Sequence, residues 1–356
     1  MDELNINNKI IEIFSKPSSD VELENSRIIE NELEDFNAQV LFSAQLESFP
    51  PRKNCVCCGD KLQGITFKHR KMLFIECLEC SHIQTLNQPP ENYLENFSNS
   101  TSAFSEIYPK LSKKEYLSRQ NRIYKPKLEW IFSTLNLLGI SESVLLSKKW
   151  LEIGSGAGYF LSAAKAKGIN NIIGFEHDKN LYLDSVDKNP DVQILNWEGA
   201  FENVIETQDS DIFCSFFVLE HIDNLSLVWK KIKEKPKNTL FVFSVPVFGL
   251  TSILENTFSD QFARNLDGVF HTQIFTDDSI HYAMKLAECR ILSEWIFGQD
   301  VSDLSRFLGY ELYGNNLETK IHSKLNAQLQ DINDDIQILL DQKRLSDQRH
   351  FIAIRR

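Results

Sequence analysis

Two groups of residues in this sequence have types and spacings suited to chemistry. The first is a set of cysteines. Cys55 and Cys58 form one C-x-x-C, Cys77 and Cys80 another, with eighteen residues between the pairs. Each pair can sit on a tight turn that aims two thiolates at one ion, and two such knuckles complete a closed tetrahedral site for zinc. Closed coordination leaves no open position for reaction, so the expected role is structural. Cys57 lies inside the first knuckle and competes with Cys58 as a ligand. Unliganded buried cysteines are the alternative, but they leave unexplained why five of seven cysteines fall between Cys55 and Cys80. A disulfide framework fits poorly, because Met1–Asp20 lacks the basic segment and apolar run of a secretion signal.

The second group lies in Trp150-Leu151-Glu152-Ile153-Gly154-Ser155-Gly156-Ala157-Gly158-Tyr159-Phe160, an apolar strand, a glycine-rich turn and the start of a helix. Glycines in such a turn let a ligand approach the backbone closely. Alone, this pattern suits a pyrophosphate as well as a free carboxylate. Glu152, two residues before the first glycine, favours a ligand with a cationic amine. Glu176, in Gly174-Phe175-Glu176-His177-Asp178, ends the next predicted strand, where an acid can accept hydrogen bonds from both hydroxyls of a ribose.

The runs LEIGSGAGYF, GFEHD, DIFCSFFVLEHI and FVFSVP occur in the order and spacing of class I S-adenosylmethionine-dependent methyltransferases. The resemblance spans about residues 149–297 plus a final strand. With the preceding CVCCG and CLECSHIQT, the whole resembles the subgroup that places a zinc-binding domain before the methyltransferase domain, which includes sugar C-methyltransferases and related enzymes of antibiotic and surface-glycan biosynthesis. The resemblance implies that Glu152, Gly154, Ser155, Gly156 and Gly158 hold the methionine part of S-adenosylmethionine. It assigns the ribose to Glu176, with His177 beside it, and sets Glu198 near the adenine. Phe216 and Phe217 would line the far side of the cofactor.

Methyl transfer from a sulfonium is an in-line displacement, in which much of the catalysis comes from holding the acceptor close and aligned. Most acceptors also need a base. His221, in Leu219-Glu220-His221-Ile222, follows the fourth predicted strand on the rim where ligands sit in open α/β sheets, and Glu220 can orient it. The same LEH run recurs across methyltransferases of differing substrates, which gives it an architectural reading as well. His271 is a second candidate from the connection after the fifth strand. Thr276 has a plainer role as a helix cap, with Asp277 and Asp278 in the first turn.

These residues need elements to position them. Strand-like segments at 150–153, 172–175, 192–195, 212–217, 240–245 and 290–296 alternate with helical patterns, which predicts parallel βαβ units and a doubly wound, Rossmann-like α/β sheet. Residues 350–354 read as a last strand. The expected domains are a separate helical arm over 1–50, with Ile29, Leu33, Phe36, Val40 and Leu41 on one face, and a zinc-ribbon module over 51–90. A linker and helix over 91–140 precede the methyltransferase domain over 141–356. Within that domain, 303–345 reads as a helical insertion or cap. Leu317, Ile321, Leu325, Leu329, Ile332, Ile336 and Leu339 form one long stripe there, which packs on its own domain or makes a homodimer seam through 315–340.

Composition narrows the partners. Apolar residues make up 42% and charged residues 25%, an ordinary globular profile. No run is apolar and long enough to span a bilayer, since Leu240–Leu250 is broken by Ser244 and Pro246. A cytoplasmic location is expected. The net charge of −12 is concentrated in residues 1–50, where eleven acids face Lys9, Lys16 and Arg27. That balance argues against a nucleic-acid partner. The opposing signal is a basic stretch holding Lys110, Lys113, Lys114, Arg119, Arg122, Lys125 and Lys127. As a phosphate-facing strip it would make the chain an RNA methyltransferase with a zinc ribbon. A non-catalytic zinc-ribbon interaction protein is the third reading. The leading expectation is a small-molecule, sugar or glycan methyltransferase.

Overall fold

The computed structural model describes residues 9–29, 32–88, 90, 111–268, 271–313 and 320–356. Its strands, in chain order, are β1 (Ile11–Phe14), β2 (Gly64–His69), β3 (Met72–Cys77), β4 (Ile83–Thr85), β5 (Trp150–Ile153), β6 (Ile172–Glu176) and β7 (Gln193–Asn196). They continue as β8 (Ile212–Phe216), β9 (Leu240–Pro246), β10 (Gln273–Ile274), β11 (Cys289–Phe297) and β12 (Gln348–Arg355). Eight of them form one sheet in the order β1-β11-β12-β9-β8-β5-β6-β7. The pairs from β9 through β7 are parallel, and β12 runs antiparallel to both neighbours. This is the doubly wound sheet expected from the sequence.

Both faces of the central strands are covered, so those strands are apolar nearly throughout. Side chains alternate between two clusters. Trp150, Ile172, Ile212 and Val242 pack with Leu128, Ile131, Phe160 and Ala164 from helices Lys125–Leu137 and Tyr159–Lys167. Leu151, Phe213, Phe241 and Phe243 face the other way, onto Val204, Val228, Trp229 and Ala283 from helices Phe201–Thr207, Leu225–Lys233 and Asp277–Leu286. Full burial of a side chain the size of Trp229 contributes about 3 kcal/mol. The helices change face between β5 and β8, so the carboxyl ends of these neighbours open a crevice where ligands sit in such sheets.

The cysteine module is not a free-standing bead. Strands β2, β3 and β4 form a small antiparallel sheet, and β10, from the stretch between β9 and β11, completes it as a fourth strand. Cys55, Val56, Cys57, Cys77 and Cys80 are buried in the same apolar cluster as Val228 and Ala283.

Three expectations need correction. The arm over 1–50 is neither wholly helical nor separate: β1 adds to the edge of the main sheet, parallel to β11, and Ser15 N–H donates to the Ile296 carbonyl. The Ile11–Phe14 run, Ile-Glu-Ile-Phe, carries the period of a strand, which a wholly helical reading of 1–50 passes over. In helix Glu32–Leu46 the inward side is Gln39, Phe42, Ser43 and Leu46, whereas Leu41 is exposed; Ile29 and Leu33 fall among side chains outside the described set. The stripe over 317–339 is not one helix. Lys320–Asp331 and Asn333–Gln342 are separate, and residues 314–319 lie outside the described residues. The second of these helices turns polar residues inward. Asn333, Gln337 and Asp341 are buried, and Gln337 donates to Asp300 at 3.0 Å and to Asp341 at 2.9 Å, while Ile332 and Leu339 are exposed. Its hydrogen bonds to an acidic site outweigh the apolar periodicity. The linker expected from residue 91 falls partly outside the described residues; helix Lys113–Arg119 follows it, opened by a Ser112–Glu115 capping box. No described helix is long and apolar enough to cross a membrane.

Candidate active site and cysteine centre

The glycine turn leaves the end of β5 with three positive φ angles, 75° at Gly154, 53° at Gly156 and 77° at Gly158. At Gly154 a Cβ would lie 2.4 Å from Val218 Cγ2, and at Gly158 one would lie 2.6 Å from Asn189 Nδ2. Side chains there are excluded by strain and by space together. Above Gly156 a Cβ would meet nothing within 4 Å, so the turn is open on the side a ligand would approach.

Glu152 and Glu176 flank this turn on adjacent strands, where Glu152 stands opposite Gly174 in the β5–β6 register. Glu176 Oε2 accepts from Gly156 N–H at 2.6 Å and Oε1 from Asp178 N–H at 2.8 Å, so the carboxylate clamps the turn and keeps lone pairs to spare. Its pKa is raised by burial, against the pull of those N–H groups. Glu152 is 2% exposed, and its Oε2 has no hydrogen-bond partner among the described residues. Burial raises its pKa well above the usual carboxyl range; Lys127 opposes that, and Glu176 adds to it. Glu152 thus feels the second acid across the crevice. A buried carboxyl without a partner is costly unless something binds it. The cationic amine of a methionine moiety has the chemistry to do so.

Sequence reasoning missed much of the wall of this crevice. Tyr159 stacks on Tyr116 and Tyr124, with centroids 4.5 and 5.1 Å apart, and the Tyr116 hydroxyl reaches Asn189 and the Ala157 carbonyl. Lys127 is fully buried, its Nζ 5.1 and 5.4 Å from the Phe216 and Phe217 rings. The basic stretch is therefore not one surface strip. Arg119 is buried and bonds the Leu23 carbonyl, Arg122 pairs with Asp20, and Lys110 lies outside the described residues. An aromatic at every turn around Lys127 was the available signal, and it was masked by counting charge alone.

Among the other proposed cofactor residues, Phe216 is core, packed 4.8 Å from Phe160, while Phe217 is half-buried with a φ of 55°. Ser155 is buried beside Gly174, its Oγ without a partner among the described residues. His177 is exposed and bonds the Trp197 carbonyl through Nδ1 at 2.8 Å; Glu198 is exposed beyond β7.

The three proposed catalytic residues come together. A carboxylate oxygen of Glu220 and one ring nitrogen each of His221 and His271 all lie within 4.8 Å of one another, and the two imidazole centroids are 5.0 Å apart. Glu220 and His221 occupy a single helical turn just past β8, at the crevice rim. His221 is exposed, His271 half-buried and Glu220 buried. Burial pushes the Glu220 carboxyl up to about 8. Burial and the nearby Arg264 push His271 down to about 4, leaving a neutral imidazole at physiological pH.

The small sheet holds this arrangement. Gln273, on β10, donates from Nε2 to the Ile222 carbonyl at 2.7 Å, while its Oε1 pairs with His82 Nε2 at 2.7 Å. His82 is fully buried, edge-on to Phe275. The Ser226 N–H donates to the Val56 carbonyl at 2.9 Å, and Arg52 pairs with Asp223 at 3.0 Å. Thr276 caps its helix with Ser279 and also donates to the Ser81 carbonyl.

In the cysteine centre, the Sγ atoms of Cys55, Cys58, Cys77 and Cys80 all lie within 4.8 Å of one another, with Cys55–Cys80 at 3.6 Å and Cys58–Cys77 at 3.9 Å. Cys57 Sγ is turned toward the Ser279 carbonyl instead, at 3.9 Å.

A family model described as "Methyltransferase domain" matches residues 122–294, just under half of the chain. A search of curated proteins gives no match. Three solved structures resemble the chain at a distance. One is a Galdieria sulphuraria protein described as a sarcosine dimethylglycine methyltransferase, with a TM-score of 0.41, 12% identity, and coverage of 72% of this chain and 89% of that one. Another is geranyl diphosphate C-methyltransferase from Streptomyces coelicolor A3(2), at 0.39 and 12%, covering 70% and 86%. The third is magnesium protoporphyrin IX methyltransferase from Synechocystis PCC 6803, at 0.39 and 10%, covering 70% and 90%. Likenesses this remote say nothing of substrate. Residues 122–294 match a methyltransferase domain, which supports a methyltransferase activity for this chain.

Proposed function

We propose that the enzyme methylates a small-molecule, sugar or glycan acceptor in a biosynthetic pathway, at the rim where Glu220, His221 and His271 meet. The supporting observation is the convergence of these three groups past β8, next to the strand that carries Glu152. In this reading Glu152 meets the amine of the cofactor, and Glu176 meets its ribose. The bound sulfonium supplies the methyl group. The chain's residues do the rest: they align the acceptor, exclude water and take its proton. His221, exposed at the rim, is the base, and Glu220 behind it positions the ring.

Zinc in the Cys55, Cys58, Cys77 and Cys80 centre is the second part of the proposal. Four convergent thiols suit a closed structural site, and the module's small sheet braces the loop that carries His271. Reduced thiols of this kind suit a cytoplasmic setting. A homodimer is favoured only by exposed Ile332, Leu339 and Leu345, and sedimentation tests it.

The test is to incubate the zinc-loaded enzyme with S-adenosylmethionine and a panel of sugars, glycans, phenols and amines, following S-adenosylhomocysteine release. Acceptor-dependent turnover that His221→Ala removes without loss of S-adenosylhomocysteine binding is expected. Turnover with structured RNA alone would replace this acceptor class.

A further inference from the structure

Two imidazoles and a carboxylate at one rim can do more than move a proton. We propose that Glu220, His221 and His271 form a second metal site, distinct from the cysteine centre, that takes a divalent first-row cation through one oxygen and two nitrogens. Four observations carry it.

The donor atoms of all three side chains lie within 4.8 Å of one another. Metal–nitrogen and metal–oxygen bonds of about 2.0–2.2 Å place ligands up to about 4.3 Å apart, so small side-chain rotations close the set. Two donors are also left over from protein bonding. Glu220 is 1% exposed, and its Oε2 is buried without a hydrogen-bond partner among the described residues, as is His271 Nδ1. Buried polar atoms without partners are uncommon, and an ion is one of their ordinary explanations.

The segments carrying the donors are fixed to each other before any ligand arrives. Gln273 bridges the Ile222 carbonyl and His82, and Asp267 accepts from the His271 N–H at 3.1 Å. Preorganised support of this kind is what metal ligands require. Finally, His221 is exposed, so the third ligand stands at the open side. A set of two histidines and one carboxylate with free positions is open to an external oxygen, unlike the closed cysteine centre. Arg264, whose charge bears on His271, is itself paired with Asp303 and Asp347.

Bound there, the cation would hold an acceptor through one of its oxygens beside the methyl donor and lower that oxygen's pKa, so that solvent takes the proton that His221, then a ligand, no longer can. The ligand class is thus a divalent transition metal, and the favoured acceptor carries an oxygen able to ligate it. This role rests on reading the rim as the acceptor side of the methyltransferase; binding of the ion does not.

The test uses Co²⁺ as probe on the full-length, zinc-loaded protein. One equivalent is expected to bind with visible d–d absorption and without thiolate-to-cobalt charge transfer, zinc remaining in place. Glu220→Gln, His271→Ala and His221→Ala are each expected to abolish that absorption while S-adenosylhomocysteine affinity persists. His221 is exposed, so its variant keeps the test valid if the two buried ones unfold. Absence of cobalt binding in the unaltered protein overturns the site, as does equal binding by His221→Ala. If S-adenosylhomocysteine binds and methyl transfer proceeds with no second metal, the metal site falls and the proposed function stands.

Discussion

Replacing Glu255 by alanine should unseat the loop that leads to His271. Glu255 is fully buried on helix Leu250–Thr257, and its carboxylate gathers the backbone N–H groups of Arg264, Asn265 and Leu266 at 2.6, 2.8 and 3.2 Å. A buried N–H left without an acceptor costs about 1–3 kcal/mol, and water entering the vacated space recovers part of it, so Glu255→Ala is expected to cost about 3–6 kcal/mol. That is a large share of a domain stability of about 5–15 kcal/mol. Glu255→Gln keeps one oxygen where Oε1 serves Arg264 and Asn265 and loses the acceptor for Leu266, a cost of about 1–3 kcal/mol. Urea unfolding of the zinc-loaded protein, followed by far-ultraviolet circular dichroism, should rank the midpoints as unaltered, glutamine, alanine. Asp267 carries the disturbance on to the His271 N–H, so turnover in the glutamine variant should fall while S-adenosylhomocysteine affinity holds. A cost below about 1 kcal/mol for alanine would refute the reasoning, because three buried N–H groups would then have found other acceptors.

Glu152→Gln should raise thermal stability, since burial holds an unpartnered carboxyl well above its usual pKa, and should weaken S-adenosylhomocysteine binding about 10–100-fold through loss of a charge-assisted contact. Differential scanning calorimetry beside titration calorimetry reads the two opposite effects, and a fall in both would count against it. His69 is pushed down to about 4 by burial and by Arg70, so the folded state binds fewer protons there than the unfolded chain. Its contribution is complete above the unfolded pKa of about 6.5, and about 2 kcal/mol is lost on going to pH 5. His69→Gln should flatten that part of the stability–pH curve; an unchanged slope would place the titration elsewhere. Zinc analysis should return one equivalent in the unaltered protein and in Cys57→Ser, whose thiol faces Ser279, but not in Cys58→Ser. Retention by Cys58→Ser and loss by Cys57→Ser would reverse the ligand assignment.

Much of the catalytic sheet was legible because its signals are local. Parallel strands covered on both faces must be apolar throughout, so Trp150–Ile153, Ile212–Phe216 and Leu240–Pro246 stand out without knowledge of their partners. The glycine turn is equally local, because Gly154 has room for no side chain beside Val218. Long-range relations were not legible. Nothing near Gln273 announces that it completes the cysteine module's sheet, or that it holds His82 on one side and Ile222 on the other. Lys127 reads as a surface charge until the aromatic rings of Tyr124, Phe216 and Phe217 close around it. The helix Asn333–Gln342 was misread because its inward face is chosen by hydrogen bonds to Asp300 and Ser302, which no apolar period encodes.

The most direct measurement is titration calorimetry of S-adenosylhomocysteine against the unaltered protein and Glu176→Ala. Two ribose hydroxyls donating to one buried carboxylate are worth about 1.5–3 kcal/mol each, so the variant should bind at least about a hundredfold more weakly. The same affinity in both proteins, or no binding by either, would contradict a nucleoside seated between Glu152 and Glu176.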